Sequence, residues 1–337
     1  MQNPLVIPTE SGLYCPVGDF YIDPWRPVER AIITHAHGDH ARAGSKRYVC
    51  AAPGRQVLQT RLGPDAAIDA LAYGEAIEHN GVRVSLHPAG HIFGSAQVRL
   101  EHRGYVWVVT GDYKLDADPT CPRFEPVRCN AILTESTFGL PVYRWAEPTA
   151  TYAGINDWWR SNREAGKASL LFGYALGKAQ RLLAGLDAAI GPIYLHGAVE
   201  RMTREYRAGG VDLPPTQPVS AAPPKHDWAG AMIVAPPSAH QSPWSRKFGD
   251  KSTAMASGWM RVRGARRRRA VDRGFVLSDH VDWPGLHTAV KESGAEQVWV
   301  THGFIEPVVR RFRELGLDAH GMKTAFEGEA DEPEVVE

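Results

Sequence analysis

The chain has 337 residues, 43% of them hydrophobic, with 38 basic and 38 acidic side chains and hence no net charge. That length allows two domains, or one large domain with an insertion, around a sizeable core, and no apolar run approaches the roughly 18 residues that span a bilayer. The start of the chain lacks the basic and apolar segments of a secretory signal, and its four cysteines (Cys15, Cys50, Cys121 and Cys129) form no C-x-x-C pair, so a cytoplasmic protein with reduced thiols is expected.

Residues 12–23 read as one or two short strands around a Gly18-Asp19 turn, broken by Pro24-Trp25-Arg26-Pro27. The apolar run Ala31-Ile32-Ile33 then leads into Thr34-His35-Ala36-His37-Gly38-Asp39-His40. A buried strand ending in a tight loop crowded with metal-ligand side chains fits this stretch. Without a cation, four such groups packed together would repel one another. Helix signals follow at 53–61, then strands at 82–87, 97–101 and 105–110.

Apolar runs repeatedly end in a ligand or an acid. They lead into His91, Asp112, Glu135, Asp279-His280 and His302, as the earlier run led into His35. Chemistry held in loops just past strand ends is how a rigid scaffold holds a site. The middle of the chain is richer in Trp, Pro and Arg. There 168–174, 193–195 and 232–235 read as strands, 176–190 as an amphipathic helix and 209–230 as a proline-rich loop, a small α/β unit. The expected division is 1–142 for the first part of one domain, 143–270 for an inserted domain, 271–326 to complete the first, and 327–337 as a disordered tail. That tail holds six acids and no base, leaving 38 basic against 32 acidic residues in the body.

Two metals need about six to eight ligands with one carboxylate shared. His35, His37, Asp39, His40, His91, Asp112 and His302 suffice. One ion takes His35, His37 and His91, the other takes Asp39, His40 and His302, and Asp112 bridges them. Imidazole and carboxylate suit zinc or manganese. Such a pair lowers the pKa of water from about 15.7 toward about 7 and neutralises charge developing on a phosphate.

With these residues in hand, the chain resembles the metallo-β-lactamase superfamily. His35-x-His37-x-Asp39-His40 is similar to its signature, Ala89-Gly90-His91 to its third motif and Thr110-Gly111-Asp112-Tyr113 to its fourth. Phe20-Tyr21-Ile22-Asp23 resembles the first motif, in which the aspartate supports the ligand loop. Thr134-Glu135-Ser136-Thr137-Phe138-Gly139, Ser278-Asp279-His280 and Val300-Thr301-His302-Gly303 resemble motifs A, B and C of the β-CASP nucleases, and Gly177-Lys178-Ala179-Gln180 the helix start of their inserted domain. Within that group the likeness is to the bacterial DNA ligase-associated exonucleases, relatives of Artemis and the cross-link-repair nucleases, through Leu13-Tyr14-Cys15-Pro16, Asp23-Pro24-Trp25-Arg26-Pro27, Ser257-Gly258-Trp259-Met260 and Val281-Asp282-Trp283. The resemblance covers about residues 12–315. It implies an αββα sandwich with an inserted α/β β-CASP domain, and metal-dependent 5′→3′ exonucleolytic hydrolysis of DNA, single-stranded or end-containing. It further implies DNA repair beside an ATP-dependent DNA ligase and a helicase. Histidines at both 280 and 302 resemble the RNA-processing branch as well, so an RNA-processing nuclease is the alternative.

His280, oriented by Glu135, fits a general acid, while Asp39 and Asp112 serve the metals and Asp23 supports their loop. Asp19 is a weaker rival for that supporting role. Ser136, Thr137 and Lys178 are candidates for gripping a terminal phosphate. The arginine run from 261 to 273, above all Arg266, Arg267, Arg268 and Arg269, is the candidate nucleic-acid contact. His79, His102 and His320 read as exposed, and His87 need not face the metals. A small-molecule hydrolase is disfavoured by the inserted domain, and a scaffold that has lost its metals by the complete ligand set.

Overall fold

The computed structural model describes residues 4–262, 264 and 270–326, so Arg266 to Arg269 and the tail over 327–337 lie outside the described residues. Two compact units form. Of the described residues, one contains those up to Arg144 and those from His280 to Phe326; the other is Trp145–Asp279.

In the first unit, short apolar runs separated by glycine and proline turns pair in chain order: β1 (Ile7–Pro8), β2 (Leu13–Cys15), β3 (Phe20–Ile22), β4 (Arg30–Ile32), β5 (Arg47–Ala51) and β6 (Ile68–Leu71). Pairing is antiparallel from β1 to β3 and parallel from β3 to β6. Between β5 and β6 a 3-10 turn with proline near its start leads into α1 (Arg55–Leu62). A second sheet begins with the antiparallel β7 (Ala76–His79), β8 (Val82–Pro88), β9 (Ala96–His102) and β10 (Tyr105–Val109), and β11 (Ala131–Ser136) adds parallel to β10.

The second unit opens with α2 (Pro148–Glu164). Its sheet is wholly parallel: β12 (Ala168–Phe172), β13 (Ile193–Leu195), β14 (Gln217–Pro218), β15 (Met232–Ala235), β16 (Lys251–Ala256) and β17 (Arg273–Phe275) lie in the order β14-β13-β15-β12-β16-β17. Helices α3 (Lys178–Ala184) and α4 (Gly197–Ala208) connect its early strands. Residues 271–279, expected to complete the first domain, belong here instead, because β17 adds to the edge of this sheet at β16. Tyr143 and Arg144, expected in the insert, stay with the first unit, where the Tyr143 carbonyl accepts from the Trp283 amide. The helix expected over 176–190 is shorter. It stops at Gly185, where a Cβ would meet the Tyr152 ring at 2.1 Å. Asn156 seals that end, donating to the Gly185 carbonyl and accepting from the Asp187 amide.

The chain then completes the second sheet of the first unit with α5 (Trp283–Ser293), β18 (Gln297–Gly303), α6 (Ile305–Glu314) and β19 (Asp318–Gly321). The strands β18 and β19 add parallel beyond β11. Alternate residues of β8 and β9 (Val82, Val84, Leu86, Val98 and Leu100) meet Leu13, Cys15, Phe20, Ile22 and Ile32 of the other sheet in one buried cluster, as a period of two requires. On the opposite side of the second sheet, Val108, Ile132, Val298 and Val300 pack with Leu286, Ala289 and Val290 of α5 and Val308, Val309 and Phe312 of α6. Every residue of β11 is therefore buried, the pattern of a central strand with parallel neighbours and both faces covered. The fold is mixed α/β, and no helix among the described residues is long and apolar enough to cross a membrane.

Leu170 lies fully buried at the middle of β12, between β15 and β16. Leu170→Ala is expected to destabilise the second unit by about 2–5 kcal/mol, read as a shift of its urea unfolding midpoint.

Candidate metal centre

The side chains singled out for metal binding arrive on loops that follow strands of the first unit, except His302, which lies at the end of strand β18 itself. The Ile33 amide donates to the Val49 carbonyl, which extends the pairing of β4 until the chain turns into Thr34–His40. Past β8, Gly90 adopts φ +73 and a Cβ there would sit 2.2 Å from the Lys114 carbonyl, so only glycine lets the His91 loop lie this close. Ser95 Oγ accepts from the amides of His91 and Ile92 and closes that loop. Past β10, Gly111 (φ +56) presses on Thr34 and turns Asp112 inward. A register shift between Thr134 and Ser136 interrupts the ladder of β11 with β18 at Glu135.

Seven side chains converge. His35 Nε2 and His91 Nε2 each lie 3.1 Å from His37 Nδ1. Asp112 Oδ2 is 3.6 Å from His35 Nε2 and 4.0 Å from His91 Nε2. On its other side the same oxygen is 3.5 Å from His40 Nε2, which is 3.6 Å from Asp39 Oδ2. Asp112 Oδ1 comes to 3.0 Å from His302 Nε2, yet neither atom is oriented to make a hydrogen bond. Two ligands on one tetrahedral zinc stand about 3.4 Å apart, and these spacings bracket that value. The residues fit a metal by a second test: His40 Nε2, Asp112 Oδ1 and both ring nitrogens of His302 are buried without a hydrogen-bond partner among the described residues, a costly state that a cation relieves.

The outer nitrogens are fixed. His35 Nδ1 sits 3.0 Å from Thr34 Oγ1 and His40 Nδ1 is 2.8 Å from Asp23 Oδ2, so each ring turns Nε2 inward. Asp23 accepts from both the amide and hydroxyl of Thr34 and adopts φ +43, so one carboxylate pins the loop and one of its rings. Asp19 is elsewhere, taken by Tyr14 and Arg30. Phe326, to which no sequence signal pointed, stacks on His40 with centroids 4.2 Å apart.

Burial disfavours the His40 imidazolium, but Asp39, Asp112 and Asp23 outweigh it and push its pKa up to about 10. Burial together with the neighbouring His40 and His91 holds His35 well below its ordinary value. Burial opposes ionisation of Asp112, yet His40, His302 and His280 hold its carboxyl well below the usual carboxylate range. The protein without metal thus keeps a proton on His40 where a cation would otherwise balance the carboxylates.

Beside this cluster, His280 Nδ1 lies 2.9 Å from Glu135 Oε2 and 3.9 Å from Asp112 Oδ2. Glu135 is fully buried and also accepts from the Tyr113 amide. Glu135 thus orients the His280 ring through Nδ1.

Two of the three candidate phosphate contacts meet internal partners. Ser136 Oγ donates to the carbonyls of Thr301 and His302, so it holds the strand end that carries His302. Lys178 is fully buried in the second unit, its Nζ 2.6 Å from Asp279 Oδ1. Both departures have one cause: burial obliges a polar group to find an internal partner. Thr137 Oγ1 is buried with no hydrogen-bond partner among the described residues. His87 turns to Ser85 and Glu125.

No family model matches the chain. A protein named Probable DNA ligase, from Opitutus terrae, is 32% identical over 310 residues, which are 91% of this chain and 30% of that protein. Cleavage and polyadenylation specificity factor subunit 3 from Dictyostelium discoideum is 32% identical over 124 residues, covering 36% of this chain and 16% of that one. Endoribonuclease YSH1 of Saccharomyces cerevisiae is 30% identical over 123 residues, with 36% and 15% covered. The chain therefore spans less than a third of the length of these relatives. A solved structure of a protein of unknown function from Enterococcus faecalis V583 shares the fold at 10% identity, with a TM-score of 0.52 over 80% of this chain and 74% of that one.

Because a cation must displace the His40 proton, metal affinity is expected to rise about tenfold per pH unit through neutrality and to level off above about pH 10. Competition with a chelator at several pH values measures this. Asp23→Asn is expected to weaken metal binding by about 10–100-fold with the fold retained, checked by metal titration and circular dichroism.

Proposed function

We propose that this chain belongs to the β-CASP group of the metallo-β-lactamase superfamily and hydrolyses DNA phosphodiester bonds with two divalent metal ions, zinc or manganese, as a 5′→3′ exonuclease. The observation that carries the reading is the approach of Asp112 to all of His35, His40, His91, His280 and His302. Likeness along 91% of the chain to a protein named as a DNA ligase supports a repair role beside a ligase. In this reading the two sheets and covering helices of the first unit form the αββα sandwich, and Trp145–Asp279 is the inserted β-CASP domain. A helicase as a further partner, and the cytoplasm as the compartment, belong to the same proposal.

His35, His37 and His91 would hold one ion, Asp39, His40 and His302 the other, with Asp112 shared. Bound there, the ions supply positive charge to a phosphate and lower the pKa of water. The chain's own residues do the rest. Asp23 and Thr34 hold the rings in register, the buried cluster keeps bulk water out, and His280, oriented by Glu135, donates a proton from Nε2 to the leaving oxygen. Ser136 keeps His302 in reach.

A second reading, an RNA-processing nuclease, is favoured by the two partial relatives, one of them named an endoribonuclease. Matched single-stranded DNA and RNA, labelled at either end and incubated with Mn²⁺ or Zn²⁺, decide between them. Loss of the 5′ label as mononucleotides from DNA is expected; clear preference for RNA would overturn the first reading. Asp112→Ala should abolish cleavage. His280→Ala should slow turnover by about 10²–10⁴-fold with metal content intact, whereas loss of metal in that variant would make His280 a ligand.

A further inference from the structure

The helix α1 touches both ligand loops, and each contact is made at a glycine. At its start, Gly54 meets Gly94 of the His91 loop so closely that a Cβ on Gly94 would lie 2.0 Å from the Gly54 Cα. At its last turn, the guanidinium of Arg61 rests on Gly38, between the ligands His37 and Asp39. A Cβ on Gly38 would fall 1.6 Å from Nη2 and 2.8 Å from Cζ. Eight helical residues span about 12 Å, so a short rigid rod runs from one ligand loop to the other and sets a cation against the second.

Arg61 is exposed, and among the described residues no carboxylate pairs with it. Asp39, the next residue after Gly38, turns toward His40 instead. The guanidinium thus lies on the backbone of Gly38 with no counter-charge among the described residues. Its planar fork of donors matches a phosphate.

We propose that Arg61 is a substrate-positioning residue that grips a backbone phosphate of the nucleic-acid strand next to the metal centre, and that Gly38 is glycine to make room for it. This rests on the nuclease reading above. Phosphate contacts of this kind set register on the strand and carry no sequence preference.

The test is binding of a 5′-phosphorylated single-stranded oligonucleotide, followed by fluorescence anisotropy in EDTA so that nothing is cleaved. Arg61→Gln is expected to raise Kd about tenfold and to reduce the slope of log Kd against log salt by about one, with unchanged thermal unfolding. Gly38→Ala keeps an ordinary backbone conformation but displaces the guanidinium. It should reproduce the loss, and the double variant should bind no worse than either single one. With Mn²⁺ present, Arg61→Gln should raise KM by more than it lowers kcat. An unchanged Kd and salt slope in Arg61→Gln would overturn the proposal and leave the guanidinium as packing on Gly38. If the wild-type chain neither binds the oligonucleotide in EDTA nor cleaves it with Mn²⁺, the nuclease reading fails by itself. Inorganic phosphate titrated into the Mn²⁺-loaded protein then decides the role of Arg61: weaker binding in Arg61→Gln upholds an anion contact, and equal binding removes it.

Discussion

The crowding of five imidazoles and Asp39 around Asp112, all but His37 of them buried, is the constraint on which the first unit depends. Lone pairs at 3–4 Å repel, and burial strengthens that repulsion. The protein meets it partly with protons, as the raised His40 shows, and partly by fixing each ring from behind. Thr34 holds His35, Asp23 holds His40 and Glu135 holds His280. None of these three holders is exposed. Each therefore acts at full strength, and removing one would leave a buried polar partner stranded.

Such a cluster needs a scaffold that cannot relax around it. Its candidate ligands come from loops after β4, β8 and β10 and from the end of β18 itself, with Glu135 on β11, and β11 is buried on every residue between parallel neighbours. Close backbone contacts set the loop positions. Gly90 lies against Lys114, Gly94 against Gly54, and Gly303 against Ser136. A hydroxyl such as Ser136, tied to two carbonyls of the neighbouring strand, transmits that rigidity to His302.

The strands and the side chains that converge on Asp112 were legible in the sequence because both rest on local pattern. Apolar runs ending in His35, His91, Asp112 and His302 state where the chain is buried and where it turns. The roles of Ser136 and Lys178 were not legible, because hydroxyl and ammonium groups read alike whether they meet a ligand or an internal partner. Only the fold brings Asp279 to Lys178, 101 positions later in the chain, and Thr301 to Ser136. The end of α3 was missed because Gly185 looks tolerable within a helical pattern, and the Tyr152 ring that requires it lies on another helix. The edge of the second unit was misplaced by three residues of sheet: β17 is too short to be recognised except by its pairing with β16. Phe326 had no signal at all, since stacking on an imidazole leaves no pattern along the chain.

The two halves of the cluster are not chemically equivalent. His35, His37 and His91 offer imidazole nitrogen only, while Asp39 adds carboxylate oxygen to His40 and His302, a harder set. Asp112 turns its oxygens to both sets, with Oδ2 near His35, His91 and His40 and Oδ1 near His302. Any charge placed in one half is therefore felt in the other through a single carboxylate. The same oxygen lies 3.9 Å from the His280 ring. His280 and the cluster are thus electrostatically one unit, and Glu135, bonded to His280 and close to Asp112, carries a charge that both feel.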